Sequence, residues 1–228
     1  MNETLFTALA MIPALILAIV FHEVAHGFVA KLLGDPTASE QRRLSLNPIR
    51  HVDPFGTVIL PGLLALSGAP VFGWAKPVPV NKWRLRNPRF GMMAVAAAGP
   101  GTNLVLAGVG AVLLGLIART VTAEPTGLLA FGLTSLNFFI LVNVFLALFN
   151  LLPLPPFDGS HIVEGLLPPR AAEYYEKLRP FGFPLLFILL LVIPWLFPGL
   201  GIVEKVVLPP VQWLSMHYLA LAGWVAGM

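Results

Sequence analysis

No cysteine occurs among the 228 residues. That excludes a disulfide framework and a thiolate metal site alike, and leaves His, Asp and Glu as the side chains able to hold a metal. Charge is also scarce. Only 11% of the chain is charged and 57% is hydrophobic, with a mean hydropathy of +0.83, whereas soluble domains carry roughly 25% charged residues. A water-soluble globule is excluded, and the chain reads as an integral membrane protein. Its length allows several spans but no large additional soluble domain. Internal repeats and low-complexity tracts are absent too, so residues 1–228 read as one domain. The net charge of +3 implies no nucleic-acid partner, because the basic residues sit in loops beside spans without a stacking-aromatic pattern.

What is present is an ordered set of apolar runs. Residues 5–30 predict a first span, retained in the mature protein. From Lys31 to Phe90 the chain is mostly loop, punctuated by Gly34-Asp35-Pro36, Asn47-Pro48 and Asp53-Pro54. Within it, Phe55 to Leu66 is too short to span and predicts a re-entrant or interfacial element. Pro77 and Pro79 favour an extended stretch, an edge-strand candidate. Residues 91–118 and 127–152 predict a second and third span, the former rich in small residues and the latter carrying Asn137, Asn143 and Asn150. After a polar segment at 168–180, two further apolar segments follow at 181–198 and about 206–226. The expected fold is an all-α, multi-pass bundle of about five apolar segments, with a core at about 5–165. Twelve of the fourteen Lys and Arg residues lie between Lys31 and Arg89 or in 168–180. The positive-inside rule puts those loops in the cytoplasm and the N-terminus outside.

Near the end of the first run stands His22-Glu23-Val24-Ala25-His26. On a helix, histidines four apart share a face and can bind one metal ion, with the intervening Glu beside it as a general base. Ionisable groups in an apolar span cost about 2–3 kcal/mol or more each and persist where they have a partner or a task. The third run also heads inward and ends in Asn150-Leu151-Leu152-Pro153-Leu154-Pro155-Pro156-Phe157-Asp158-Gly159. Its prolines unwind the helix and deliver Asp158 to the level of the two histidines. Two His and one carboxylate leave a fourth position open, as a catalytic zinc site requires. His51 and His161 are rival ligands, or residues that touch the ligands from outside. His217 reads as an interfacial or packing residue. A membrane metal-binding or transport protein, and an inactive scaffold of the same fold, are the alternative readings.

Three separated motifs resemble the site-2 protease family of intramembrane zinc metalloproteases: His22-Glu23-x-x-His26, Gly99-Pro100-Gly101-Thr102-Asn103, and Asn150-x-x-Pro153-x-Pro155-x-x-Asp158-Gly159. The likeness covers roughly residues 15–165. It implies one Zn2+ per chain held by His22, His26 and Asp158, with Glu23 as general base. It further implies that Asn150 holds the substrate backbone or the oxyanion, and that Asn103 does the same or braces the site; both also suit plain interhelical hydrogen bonding. Gly99-Pro100 reads as a packing device. The implied partners are the lipid bilayer and transmembrane protein substrates, cleaved at a site towards the cytoplasmic face of a prokaryotic cell membrane. A helical substrate must unwind before its carbonyls are free. The stretch Val78-Pro79-Val80 could then pair with it as an added strand.

Overall fold

The computed structural model describes residues 3–67, 73–197, 201 and 203–227. Helices dominate, and no strand occurs among the described residues. The long ones are α1 (Glu3–Leu32), α2 (Pro88–Ala118) and α3 (Gly127–Asn150). A short α4 (Asp158–Leu166) follows, and α5 (Leu208–Ala226) ends the chain. Local chemistry sets their limits. The Asn87 side chain accepts from the Phe90 N–H and Pro88 occupies the first turn of α2, where its missing N–H costs nothing. Gly227, at φ +85°, closes α5 in the left-handed region.

In a membrane, apolar attraction does not distinguish one helix face from another, so close packing depends on small side chains. Every fourth residue of α1 from Ala10 to Ala30 is buried: Ala10, Ala14, Ala18, His22, His26 and Ala30. The same period runs along α2 through Gly91, Val95, Gly99, Asn103, Ala107, Ala111 and Gly115. These are ridges of the i±4 kind, which let α1 and α2 lie against each other, with α3 packed on both. The two histidines therefore continue the buried helix–helix seam.

Four runs are long and apolar enough to cross a bilayer: Leu5–Leu32, Pro88–Ala118, Gly127–Asn150 and Pro169–Leu196. The fourth differs from expectation. Residues 168–180 are not a polar loop; Pro169–Glu176 is helical and leads through a short turn into Gly182–Leu196. Pro169 begins that helix at a position where proline is tolerated. Pro198, the expected end of that segment, lies outside the described residues. The fifth apolar segment is α5, seated on α2, where the Tyr218 hydroxyl donates to the Leu104 carbonyl at 2.9 Å.

Between α1 and α2, Pro54–Ile59 forms a wide π-type turn that runs into the helix Leu60–Ser67. The chain then returns, because the Trp74 N–H donates to the Gly56 carbonyl at 3.1 Å. Gly56 and Gly73 permit this approach: a Cβ on Gly56 would fall 2.3 Å from the Trp74 indole nitrogen, and one on Gly73 2.3 Å from the Gly56 oxygen. Residues 73–81 belong to neither helix nor strand. The edge-strand expectation is corrected accordingly. Pro77 and Pro79 have no N–H to give, and Val78 spends its own on a side chain of α1.

Candidate metal centre

His22 and His26 project from the inner face of α1, one turn apart. His26 Nδ1 lies 2.7 Å from the Val95 carbonyl. A carbonyl can only accept, so Nδ1 carries a proton, and in the neutral ring Nε2 is the nitrogen left for a metal. His22 Nδ1 lies 2.6 Å from Asn103 Oδ1. That amide has one possible orientation, since its NH2 donates to the Ala18 carbonyl at 3.2 Å and to Asn143 Oδ1 at 2.7 Å. His22 is therefore also an Nδ1–H tautomer with a bare Nε2.

The two bare nitrogens face each other at 3.0 Å. Asp158 Oδ2 lies 3.2 Å from His22 Nε2 and 3.4 Å from His26 Nε2. It is buried and accepts no hydrogen bond. Both Nε2 atoms and the carboxylate oxygen thus converge on one point, where a single cation could take all three as ligands. The three ligand atoms lie within 4.8 Å of one another, and two imidazoles with one carboxylate are a zinc donor set with room for a fourth ligand. The residues present fit the metal.

Two glycines make this approach possible. Gly99 lies flat against both imidazoles: a Cβ there would stand 2.5 Å from His26 Nε2 and 2.6 Å from His22 Cε1. Gly99→Ala should therefore displace the rings and weaken zinc binding by about 10–100-fold, the usual cost of disturbing residues that orient metal ligands. Competition with a metallochromic chelator measures this, and unchanged affinity would mean that the rings yield freely. Gly159 does the same for Asp158, since its Cβ would fall 2.3 Å from the Leu151 carbonyl at the end of α3.

Glu23 is half-buried, and its Oε2 accepts the Val78 N–H at 2.8 Å. Asn103 is fully buried and engaged on both sides of its amide, which suits bracing His22 better than contacting a substrate. Asn143 extends that network into α3, where it donates to the Phe139 carbonyl at 2.8 Å. Asn150 sits at the end of α3 with its NH2 on the Leu146 carbonyl at 2.9 Å. It makes no bond to the His–His–Asp group. His51 is buried elsewhere, its Nε2 bonded to the Ser45 carbonyl at 2.7 Å. His161 accepts from Arg179 at 2.9 Å. Burial first, then the Arg179 charge, pushes His161 down to about 4, so it is neutral at physiological pH. Neither belongs to the ligand group found among the described residues. The exposed His217 packs with its ring tilted against Trp213, ring centroids 4.3 Å apart.

One anchoring residue went unread in the sequence. Asp35, assigned there only to loop punctuation, is completely buried. It accepts from the Thr37 N–H and hydroxyl through Oδ1 and from the Asn81 N–H, at 2.6 Å, through Oδ2. Burial alone would raise its carboxyl, but these hydrogen bonds, with Arg84 nearby, hold it below the usual carboxylate range.

Comparison with known proteins points to a zinc metalloprotease. The sequence model of peptidase family M50 matches residues 119–193, the part that contains Asp158. "Putative zinc metalloprotease YwhC" of Bacillus subtilis (strain 168) is 41% identical over 202 residues, 85% of this chain and 87% of its own length. "Putative zinc metalloprotease Rip2" of Mycobacterium tuberculosis (strain ATCC 25618 / H37Rv) is 30% identical over 207 residues, 86% of this chain and 75% of its own. Its namesake in Mycolicibacterium smegmatis (strain ATCC 700084 / mc(2)155) is 29% identical over 191 residues, 82% of this chain and 70% of its own. No solved structure matches. The relationship to YwhC spans most of both chains; the chain belongs to peptidase family M50, the site-2 protease family, and is a multi-pass zinc metalloprotease.

Proposed function

We propose that this chain performs regulated intramembrane proteolysis, hydrolysing peptide bonds in or near transmembrane segments of other membrane proteins. The observation that carries the reading is the convergence of two bare imidazole nitrogens and an unpaired carboxylate oxygen inside a membrane-length helix bundle. His22, His26 and Asp158 would hold the zinc. When bound, the metal supplies a Lewis-acid centre that acidifies a water molecule and polarises the scissile carbonyl. Glu23, beside the ligands, takes the proton of the attacking water and returns it to the leaving amine nitrogen. Val95 and Asn103 keep both histidines in the tautomer that points a lone pair at the site. Asn150, next to the unwound stretch before Asp158, can turn its amide from its own helix to a substrate carbonyl.

The whole chain acts as one membrane-embedded domain, with residues 5–165 as its core. Val80 has no partner for its N–H among the described residues and can pair with an unwound substrate. The positive-inside rule applied to the basic loops supports a centre towards the cytoplasmic face of a prokaryotic cell membrane. Two measurements test this reading. Incubation of the purified chain with a panel of transmembrane peptides should give zinc-dependent cleavage inside the apolar segment; no cleavage of any peptide would count against proteolysis. In the naturally cysteine-free chain, Gln41→Cys and Glu173→Cys should react with an impermeant maleimide only from the cytoplasm, and Glu124→Cys only from outside; all three positions are exposed. The reverse pattern would move the active site to the other face.

A further inference from the structure

We infer that Asp35 is a positioning residue for the proposed peptidase reaction, acting through the strap 76–81 to fix the carboxylate of Glu23. The inference rests on the role assigned to Glu23 above. Asp35 lies beyond the end of α1, reached through Gly34 at φ +111°, a conformation that glycine adopts without strain. Its Oδ2 takes the Asn81 N–H at 2.6 Å and so pins one end of the strap. At the other end the Lys76 N–H donates to the His51 carbonyl at 2.9 Å, and Arg43 donates to the Lys76 carbonyl at 2.8 Å. Between these anchors the prolines at 77 and 79 have no N–H, so the Val78 N–H is the donor left facing α1. It meets Glu23 Oε2 at 2.8 Å. Gly27, one turn beyond Glu23, gives the strap its seat: a Cβ there would stand 2.7 Å from the Val78 side chain.

A general base needs its carboxylate held so that one oxygen faces the water it deprotonates. With Oε2 committed to a backbone N–H, Oε1 is the oxygen left for that task. The N–H comes from a strap anchored at both ends, and one anchor is a buried carboxylate that three hydrogen bonds hold in place. Removing the anchor should therefore loosen Glu23 without touching the residues that hold zinc.

The test uses the full chain with a cleavable transmembrane peptide, reading kcat, KM and zinc content for Asp35→Asn, Val78→Pro and Val78→Ala. Asparagine sets an NH2 against donors, and proline deletes the N–H, whereas alanine keeps it. Expected is full zinc and a kcat lowered by about 10–100-fold in Asp35→Asn and Val78→Pro, beyond any change in KM that the loosened strap brings. Val78→Ala keeps the N–H and should lose less kcat than Val78→Pro. Full kcat in Val78→Pro, equal losses in the two Val78 variants, a loss confined to KM, or loss of zinc would each overturn the inference. Should Asp35→Asn fail to fold, the Val78 pair decides by itself. Amide hydrogen exchange at Val78 and Asn81 provides a readout independent of turnover: it should be slow in the parent and about 10-fold or more faster in Asp35→Asn. Unchanged exchange would overturn the anchoring role even if the chain proved not to be a peptidase. Turnover retained in Glu23→Gln would defeat the peptidase reading and leave that exchange result standing.

Discussion

Glu23→Gln is expected to retain zinc and to lose turnover by about 10²–10⁴-fold, the usual worth of general acid–base catalysis. Glutamine has nearly the shape of glutamate and keeps an oxygen that can accept the Val78 N–H, so the strap should stay seated. What it loses is basicity: an amide cannot take the proton of the attacking water or carry it to the leaving amine. The loss should fall on kcat rather than KM, because the substrate-binding surfaces are untouched. Zinc content must be matched between the two proteins. A transporter or metal store would treat Glu23 as a polar neighbour and keep its metal-dependent behaviour. Comparable turnover in the two proteins rules out the mechanism, and loss of zinc from Glu23→Gln would make Glu23 a ligand.

The second large effect is on the metal. Purified chain should contain about one zinc, since three protein ligands and a water complete one tetrahedral ion. Alanine at His22, His26 or Asp158 should abolish both stoichiometric zinc and turnover. Each side chain contributes one of the three converging atoms, and no other His, Cys, Asp or Glu among the described residues joins the group. Asp158→Ala is the sharpest of the three. It removes the only carboxylate of the group, so zinc affinity should collapse, and its effect on the metal-free fold reports what Asp158 contributes as a partner of the two histidines. Elemental analysis with a thermal unfolding scan in the presence of chelator reads both quantities. Full zinc occupancy in any of the three variants would show the ligand assignment to be wrong.

The sequence by itself determined the membrane setting and the metal chemistry. Uniformly apolar runs leave no other solvent for the chain, and His22, Glu23 and His26 lie within little more than one turn, so helix geometry alone brings them to one place. Asp158 was legible because the third apolar run ends just before it in a proline-rich stretch. Only the tertiary structure decided which face of each span is buried. Membrane helices are apolar all round, so no polar face marks the outside; the period-four line of small residues on α1 and α2 becomes meaningful only when the helices meet. The same holds for the boundary at 168–180, where polar composition reads as a loop although neighbouring turns continue the helix. The histidine tautomers also came from tertiary contacts, since the partners Val95 and Asn103 are 69 and 81 residues away in the chain. Asp35 was illegible for a related reason. A turn aspartate and a buried anchor share the same local sequence, and its partner Asn81 lies 46 residues further on, so its task exists only once the strap has folded back over α1.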